Sequence, residues 1–186
     1  MKKAIIIPTH ERGALFLNDL LESLQGCKYP IIIHYNTNER NEFEMGAVRI
    51  GKELEIDEFI LLPDSVVIKD QVILDMFFEQ EGSVSLDLHY LSYVGKYRLE
   101  ILNQLNVPDV RTKKDAWKQE FDFHNEYCMI EAPLKLFPGF WNHTDIYEEK
   151  HGRKNLINEN DYIIKYKGCW TADHIYNYEG IHGKEN

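Results

Sequence analysis

Between Lys3 and Phe78 the sequence switches repeatedly between short apolar runs and longer stretches with helical spacing, and this rhythm restricts the fold more than any other feature. Residues 3–7 form an apolar, β-rich run of the kind expected for a strand covered on both faces. It ends in the polar loop Pro8-Thr9-His10-Glu11-Arg12-Gly13. Leu17, Leu20, Leu21 and Leu24 then share one helical face, with Gly26 as the stop. Pro30 opens a second strand over Ile31, Ile32 and Ile33, which runs into His34-Tyr35-Asn36-Thr37-Asn38. A second helix from Phe43 sets Phe43, Ala47, Ile50 and Leu54 on one face. Residues 59–62 read as a third strand, Pro63-Asp64-Ser65 as a break, residues 66–68 as a fourth strand, and Asp70 opens a third helix. Strands alternating with helices predict an α/β sandwich with a mostly parallel central sheet, its first two strands parallel. Ligands bind such sheets at the carboxyl ends of the strands. Three polar segments converge there: residues 9–12, 36–41 and 64–65.

Beyond residue 82 the pattern loosens. Residues 83–88 read as a strand and 97–105 as a helix with Tyr97, Ile101, Leu102 and Leu105 inward. Residues 107–126 are charged and irregular, 127–130 strand-like, and 142–151 a short helix with Thr144 as a cap. The tail over 161–178 is rich in Tyr and Lys. A length of 186 residues is most economically one domain, with about 1–88 as one half and about 89–186 as the other.

A net charge of -10 argues against non-specific binding to nucleic acid or anionic membrane, so an anionic ligand must meet a local basic cluster or a metal. Three cysteines without CxxC spacing suggest neither a zinc ribbon nor a disulfide framework, and point to a reducing, cytoplasmic setting. The apolar run at residues 4–7 is too short for a signal peptide, and no stretch approaches a membrane span.

Asp64 is the first candidate for chemistry. An unpaired charge buried between two strands costs several kcal/mol, whereas a carboxylate at the rim of a parallel sheet can hold a metal or a phosphate-bearing ligand. Pro-Asp-Ser is also ordinary turn chemistry. Asp145 and Glu148, three residues apart, can share a helical face and supply a base; they also fit a solvated acidic helix. The aromatic run 137–141 fits either a wall against a sugar or core. Arg153, Lys154, Lys165 and Lys167 are dense for an acidic chain and fit either a phosphate site or solvated surface.

Residues Ile6-Ile7-Pro8-Thr9-His10-Glu11-Arg12 resemble the opening strand and loop of inverting, family-two GT-A glycosyltransferases. The Leu-rich helix and the second strand with its polar end fit the same pattern, and residues 59–69 fall where that family carries its metal-binding Asp-x-Asp signature. Asp145-Ile146-Tyr147-Glu148-Glu149 followed by His151-Gly152 resembles its base-bearing acidic helix. The resemblance covers about the first eighty residues well and the remainder loosely. Two departures stand out: Pro63-Asp64-Ser65 keeps one carboxylate where the family has two, and Asn36 stands where the family tends to place an Asp that recognises the base.

The resemblance implies a GT-A-like, Rossmann-like three-layer fold. It also implies transfer from a nucleoside-diphosphate sugar, with uridine the first base to consider, to a carbohydrate or other hydroxyl acceptor. Pro8, Thr9, Glu11, Arg12, Asn36, Asp64 and Ser65 would face the donor, with Arg153, Lys154, Lys165 and Lys167 against its phosphates. Glu11 would bond ribose or base, or cap the following helix. Asp64 would ligate Mg²⁺ or Mn²⁺, with His143 and His174 as further candidate ligands. Asp145, then Glu148, would be the base. The alternatives are a non-catalytic nucleotide- or carbohydrate-binding module on the same scaffold, and a doubly wound nucleotidyltransferase. The latter needs a Gly-rich phosphate loop that Gly13 alone does not provide.

Overall fold

The structure is a computed structural model and describes residues 1–10, 14–37, 39–42, 44–86, 94–137 and 156–166. β1 (Lys3–His10) lies between β2 (Ile31–Asn36) and β3 (Glu58–Leu61) and is parallel to both. The sheet continues through β6 (Gly95–Arg98), β5 (Val84–Ser85) and β7 (Leu134–Lys135), in the order β2-β1-β3-β6-β5-β7. Among the described strands of this sheet, only β6 runs against the rest. A second sheet joins β4 (Val66–Ile68), β9 (Ile163–Tyr166) and β8 (Leu156–Glu159), all antiparallel.

Alternation along the strands sorts the core into two layers. Ile5, Ile7, Ile60 and Leu62 face α1 (Ala14–Ser23) and α3 (Val72–Glu79), packing with Leu17, Leu20, Leu24, Phe77 and Phe78. Ala4, Ile6, Phe59 and Leu61 face α2 (Glu44–Glu53), α4 (Leu99–Leu102) and α5 (Lys113–Ile130), packing with Met45, Val48, Ile101, Phe123 and Tyr127. A slip of one residue in β1 would exchange the two faces. Truncating one of its wholly buried isoleucines to Ala costs about 2–5 kcal/mol. The three-layer α/β architecture and the parallel β1–β2 pair are those expected from the sequence.

Two glycines set α2 close to the sheet. A Cβ on Gly46 would overlap the His34 imidazole of β2, and a Cβ on Gly51 would overlap the Phe59 ring of β3. The chain turns after α1 at Gly26, whose φ of 76° is a left-handed conformation open to glycine.

Several expectations are corrected. Residues 113–130 form one long helix, not an irregular stretch followed by a strand. Thr112 caps it by accepting from the Asp115 N–H at 3.2 Å. Residues 95–98 are strand β6 and the following helix covers only Leu99–Leu102, although Tyr97, Ile101 and Leu102 are buried as expected. The inward face of α2 carries Met45, Ala47 and Val48, while Leu54 lies beyond the helix and is 51% exposed. Phe43 and the expected helix at 142–151 lie outside the described residues. Phe137, at the start of the aromatic run, stacks on Tyr162 at 5.6 Å and packs against the core.

Candidate functional site

The chain leaves β1 through α1 on one face of the sheet, forms β2, and returns through α2 on the other face to place β3 on the far side of β1. The order therefore reverses between β1 and β3, and the crevice outside their carboxyl ends is a topological switch point. β1 outruns β3 there: their pairing ends at Ile6–Leu61, with one further bond from the Leu62 N–H to the Ile6 carbonyl. The Ile5 N–H bonds the Pro30 carbonyl on the β2 side, so by alternation residue 8 turns its backbone toward β3. Pro8, which has no N–H to donate, thus sits where no β3 partner remains.

Five of the expected site residues meet at this crevice. The Thr9 hydroxyl donates to Asp64 Oδ2 at 2.7 Å, tying the end of β1 to the loop after β3. Asn36 donates through Nδ2 to the Thr9 carbonyl at 3.2 Å and accepts from the Glu42 N–H at 2.8 Å. Its carboxamide is thus committed to backbone at both ends. Lys165 is the register partner of Val66, and the β4–β9 pairing brings its Nζ to Ser65 Oγ, to which it donates at 2.5 Å. All five are buried, Ser65 at 2% and Lys165 at 4% exposed.

Burial pushes the Lys165 ammonium down to about 8, against the opposing pull of Glu44 and Asp64. Glu44, in the first turn of α2, has its carboxyl pushed well above the usual carboxylate range, by burial first and then by the charge of Glu120 on α5. The Tyr97 hydroxyl is raised by burial and again by Glu120, and it lies 2.6 Å from His124 Nε2. Behind β2, Glu42 is a separate and well-matched centre. Burial alone would raise its carboxyl, but Arg49, bound at both oxygens (3.1 and 2.9 Å), and Arg40 at 3.0 Å hold it below the usual range.

Glu44 and Glu120 were not among the residues expected from the sequence. Glu44 resembles any acidic residue at a helix start. Glu120 was hidden in a stretch not recognised as helical, although Ala116, Glu120, Phe123 and Tyr127 have the spacing of one helix face. Glu11, Arg12, His143, Asp145, Glu148, Arg153, Lys154, Lys167 and His174 lie outside the described residues.

Asp64 already accepts from Thr9, and a metal placed on it would stand against the Lys165 ammonium, a like charge in a buried setting. Among the described residues no group of three His, Cys, Asp or Glu side chains could hold a metal ion. Two clefts of about 420 and 270 Å³ lie toward the amino ends of the strands, the first lined by Asp57, Glu58 and Arg98 and the second by Lys28, Tyr29 and Asp75. No helix among the described residues is long and apolar enough to cross a membrane.

No protein-family model matches the chain, and no curated protein matches it in sequence. Among solved structures it is similar to A197 from STIV, at TM-score 0.38 and 16% identity over 58% of this chain and 70% of that one. It is also similar to a mutant Drosophila beta-1,4-galactosyltransferase 7 in complex with manganese, UDP-Gal and xylobiose, at TM-score 0.38 and 14% identity. That likeness covers 55% of this chain and about half, 51%, of the galactosyltransferase. Likenesses of this extent assign neither family nor activity.

Proposed function

We propose that this chain is a GT-A-like glycosyltransferase acting as one domain, with a nucleoside-diphosphate sugar bound at the carboxyl ends of β1 and β3 and the acceptor bound by the second half of the sequence. The observation that carries this reading is the meeting of Thr9, Asp64, Ser65 and Lys165 at the switch point, the place where open α/β sheets take nucleotides. Lys165 supplies positive charge and Ser65 a hydroxyl, the two things a departing diphosphate requires. Thr9 and Asn36 fix the loop after β3 and the ends of β1 and β2 relative to one another.

In the reaction, the acceptor hydroxyl attacks the anomeric carbon of the donor as its bond to the diphosphate oxygen breaks. The hydroxyl proton passes to a carboxylate base, and the nucleoside diphosphate leaves with the bonding electron pair. Asp145 is the first candidate for that base and Glu148 the second. Attack from the face opposite the leaving group inverts the anomeric centre.

The test is nucleoside-diphosphate release from a panel of nucleotide sugars, with mixed saccharide acceptors, by wild type, Asp64→Ala and Asp145→Asn. The expected result is release from one donor, lost in both variants, with donor binding retained in Asp145→Asn. Donor binding without release by the wild type would replace the enzyme with a non-catalytic binding module. No binding of any nucleotide sugar would sink the donor site.

A further inference from the structure

We propose that Glu42, though set behind the crevice, is a positioning residue for the donor site: its clamped carboxylate fixes the Asn36 carboxamide and, through Thr9, the Asp64 carboxylate that meets the donor. The proposal rests on the glycosyltransferase reading and specifies what holds its donor site in shape.

Both oxygens of the Glu42 carboxylate are engaged. Oε1 accepts from Arg40 Nη2 at 3.0 Å and from Arg49 Nε at 3.1 Å. Oε2 accepts from Arg49 Nη2 at 2.9 Å, with His34 Nε2 3.5 Å away. Ion pairs buried in this way add little to stability over apolar packing of the same size, and their best-attested use is to fix one arrangement among several. What is fixed here is the connection from β2 to α2. Within it the Thr37 N–H bonds the Arg40 carbonyl at 2.9 Å, and the Arg40 N–H returns to the Thr37 hydroxyl at 3.0 Å.

From the Glu42 backbone the bonding runs into the crevice. Its N–H can only donate, so the Asn36 carboxamide must turn Oδ1 toward it, at 2.8 Å, and Nδ2 toward the Thr9 carbonyl, at 3.2 Å. The Thr9 hydroxyl in turn donates to Asp64 Oδ2 at 2.7 Å. Glu42, Asn36, Thr9 and Asp64 are each no more than 2% exposed, so water does not stand in for a partner that moves. The carboxamide is required for this: an aspartate at position 36 would accept from Glu42 but bring no donor to the Thr9 carbonyl. A displaced Glu42 N–H would therefore release the carboxamide, then the end of β1, then the hydroxyl that orients Asp64.

The test is a cycle of variants read by binding. The full chain is titrated calorimetrically with UDP, GDP, ADP and CDP, at a temperature where the melt of each variant shows it folded. One nucleoside diphosphate is expected to bind the wild type. Glu42→Gln keeps the N–H but turns an amide donor toward an arginine, and is expected to weaken that binding about tenfold. In a Thr9→Val background, where the link to Asp64 is already cut, Glu42→Gln is expected to weaken it by less than about twofold. Arg40→Met removes a half-exposed partner and leaves Arg49 on both oxygens. It carries the test if Glu42→Gln does not fold, with an expected loss of about threefold that again vanishes in Thr9→Val. A variant that melts lower yet binds as the wild type does, or loses as much binding in Thr9→Val as alone, overturns the proposal while leaving the donor site in place. Failure of every nucleoside diphosphate to bind the wild type overturns the proposal together with the donor reading beneath it.

Discussion

Lys96 and Lys165 are both buried lysines at the sheet, one toward its amino end and one toward its carboxyl end, and their surroundings differ in kind. Lys96, wholly buried in β6, donates to the Gln80 carbonyl at 2.7 Å and stands 3.5 Å from Glu58 Oε1. Burial lowers its ammonium in spite of Glu58. Lys3 lies 3.7 Å from the same carboxylate, and Arg98 is paired with both Glu131 and Glu100. At that end charges meet opposite charges. At the carboxyl end Lys165 donates to Ser65 and feels the pull of Glu44 and Asp64, Asp64 accepts from Thr9, and burial first and then Glu120 push Glu44 toward its neutral form. At the amino end cations lie against carboxylates, whereas at the carboxyl end the Thr9 and Ser65 hydroxyls also bond the charged groups.

The comparison is broken most directly by removing each lysine. Lys96→Met leaves Glu58 with Lys3 as its remaining cation, and unfolding in urea is expected to show a loss of about 3 kcal/mol with diphosphate binding unchanged. Lys165→Met is expected to cost a similar amount, since it leaves the buried Asp64 without the ammonium that attracts it, and to lose diphosphate binding as well. If Lys165→Met proves the more destabilising and Lys96→Met the one that loses binding, the assignment of the two ends is reversed.

Acid sharpens the contrast. Burial holds His124, on the α5 face that also carries Glu120, at about 4, against an ordinary value of about 6.5. Between those values the unfolded chain binds a proton that the folded chain refuses. The stability this group contributes is therefore present above pH 6.5 and is lost as pH falls toward 4, by at most about 3 kcal/mol. The measurement is the stability gap between wild type and His124→Gln at pH 7, 5.5 and 4.5, which is expected to narrow with acid. Glu44, raised instead of lowered, acts in the opposite sense, so the gap is informative where the raw curve is not. A gap constant across pH would remove His124 from the acid response.

Smaller effects follow. Thr9→Val leaves Asp64 Oδ2 without its hydroxyl donor and is expected to cost about 2 kcal/mol in a thermal melt, typical of a hydrogen bond to a charged group. Lys69→Ala removes a half-exposed pair with Glu159 at 2.7 Å and is expected to cost less than about 1 kcal/mol. If the two losses were equal, the Thr9–Asp64 bond would be no more than a surface contact in its energetics.

The first half of the fold was legible because its signals are local. Leu17, Leu20 and Leu24 form a stripe, β1 is unbroken by polar residues, and Gly26 stops the helix. For the same reason Thr9, Asn36, Asp64 and Ser65 could be placed together, since each ends or follows a strand whose direction the alternation fixes. Helix α5 was missed although Thr112 and Asp115 form a capping pair, because Glu120 and His124 interrupt the apolar stripe of Ala116, Phe123 and Tyr127. Strand β9 is announced locally only by the Asn160 turn before it, which does not say which strand it joins. Its partner is β4, about a hundred residues earlier, and that pairing decides where Lys165 goes. The second half of the site is therefore a product of tertiary pairing, which one sequence read locally does not contain.

The two glycines of α2 have a consequence for how this chain can drift. Gly46 rests on His34 of β2 and Gly51 on Phe59 of β3, so the helix is mounted at two points that straddle β1. A bulkier residue at either mount would pivot the helix about the other and swing Glu42 and Glu44, at its leading end, off their partners. Positions 34 and 46, and likewise 59 and 51, are thus bound as two exchange pairs: volume gained on the helix must be given up on the strand beneath it. Among related sequences, residues at these four positions should vary as couples, with the acidic residues at 42 and 44 retained wherever both couples keep their combined size.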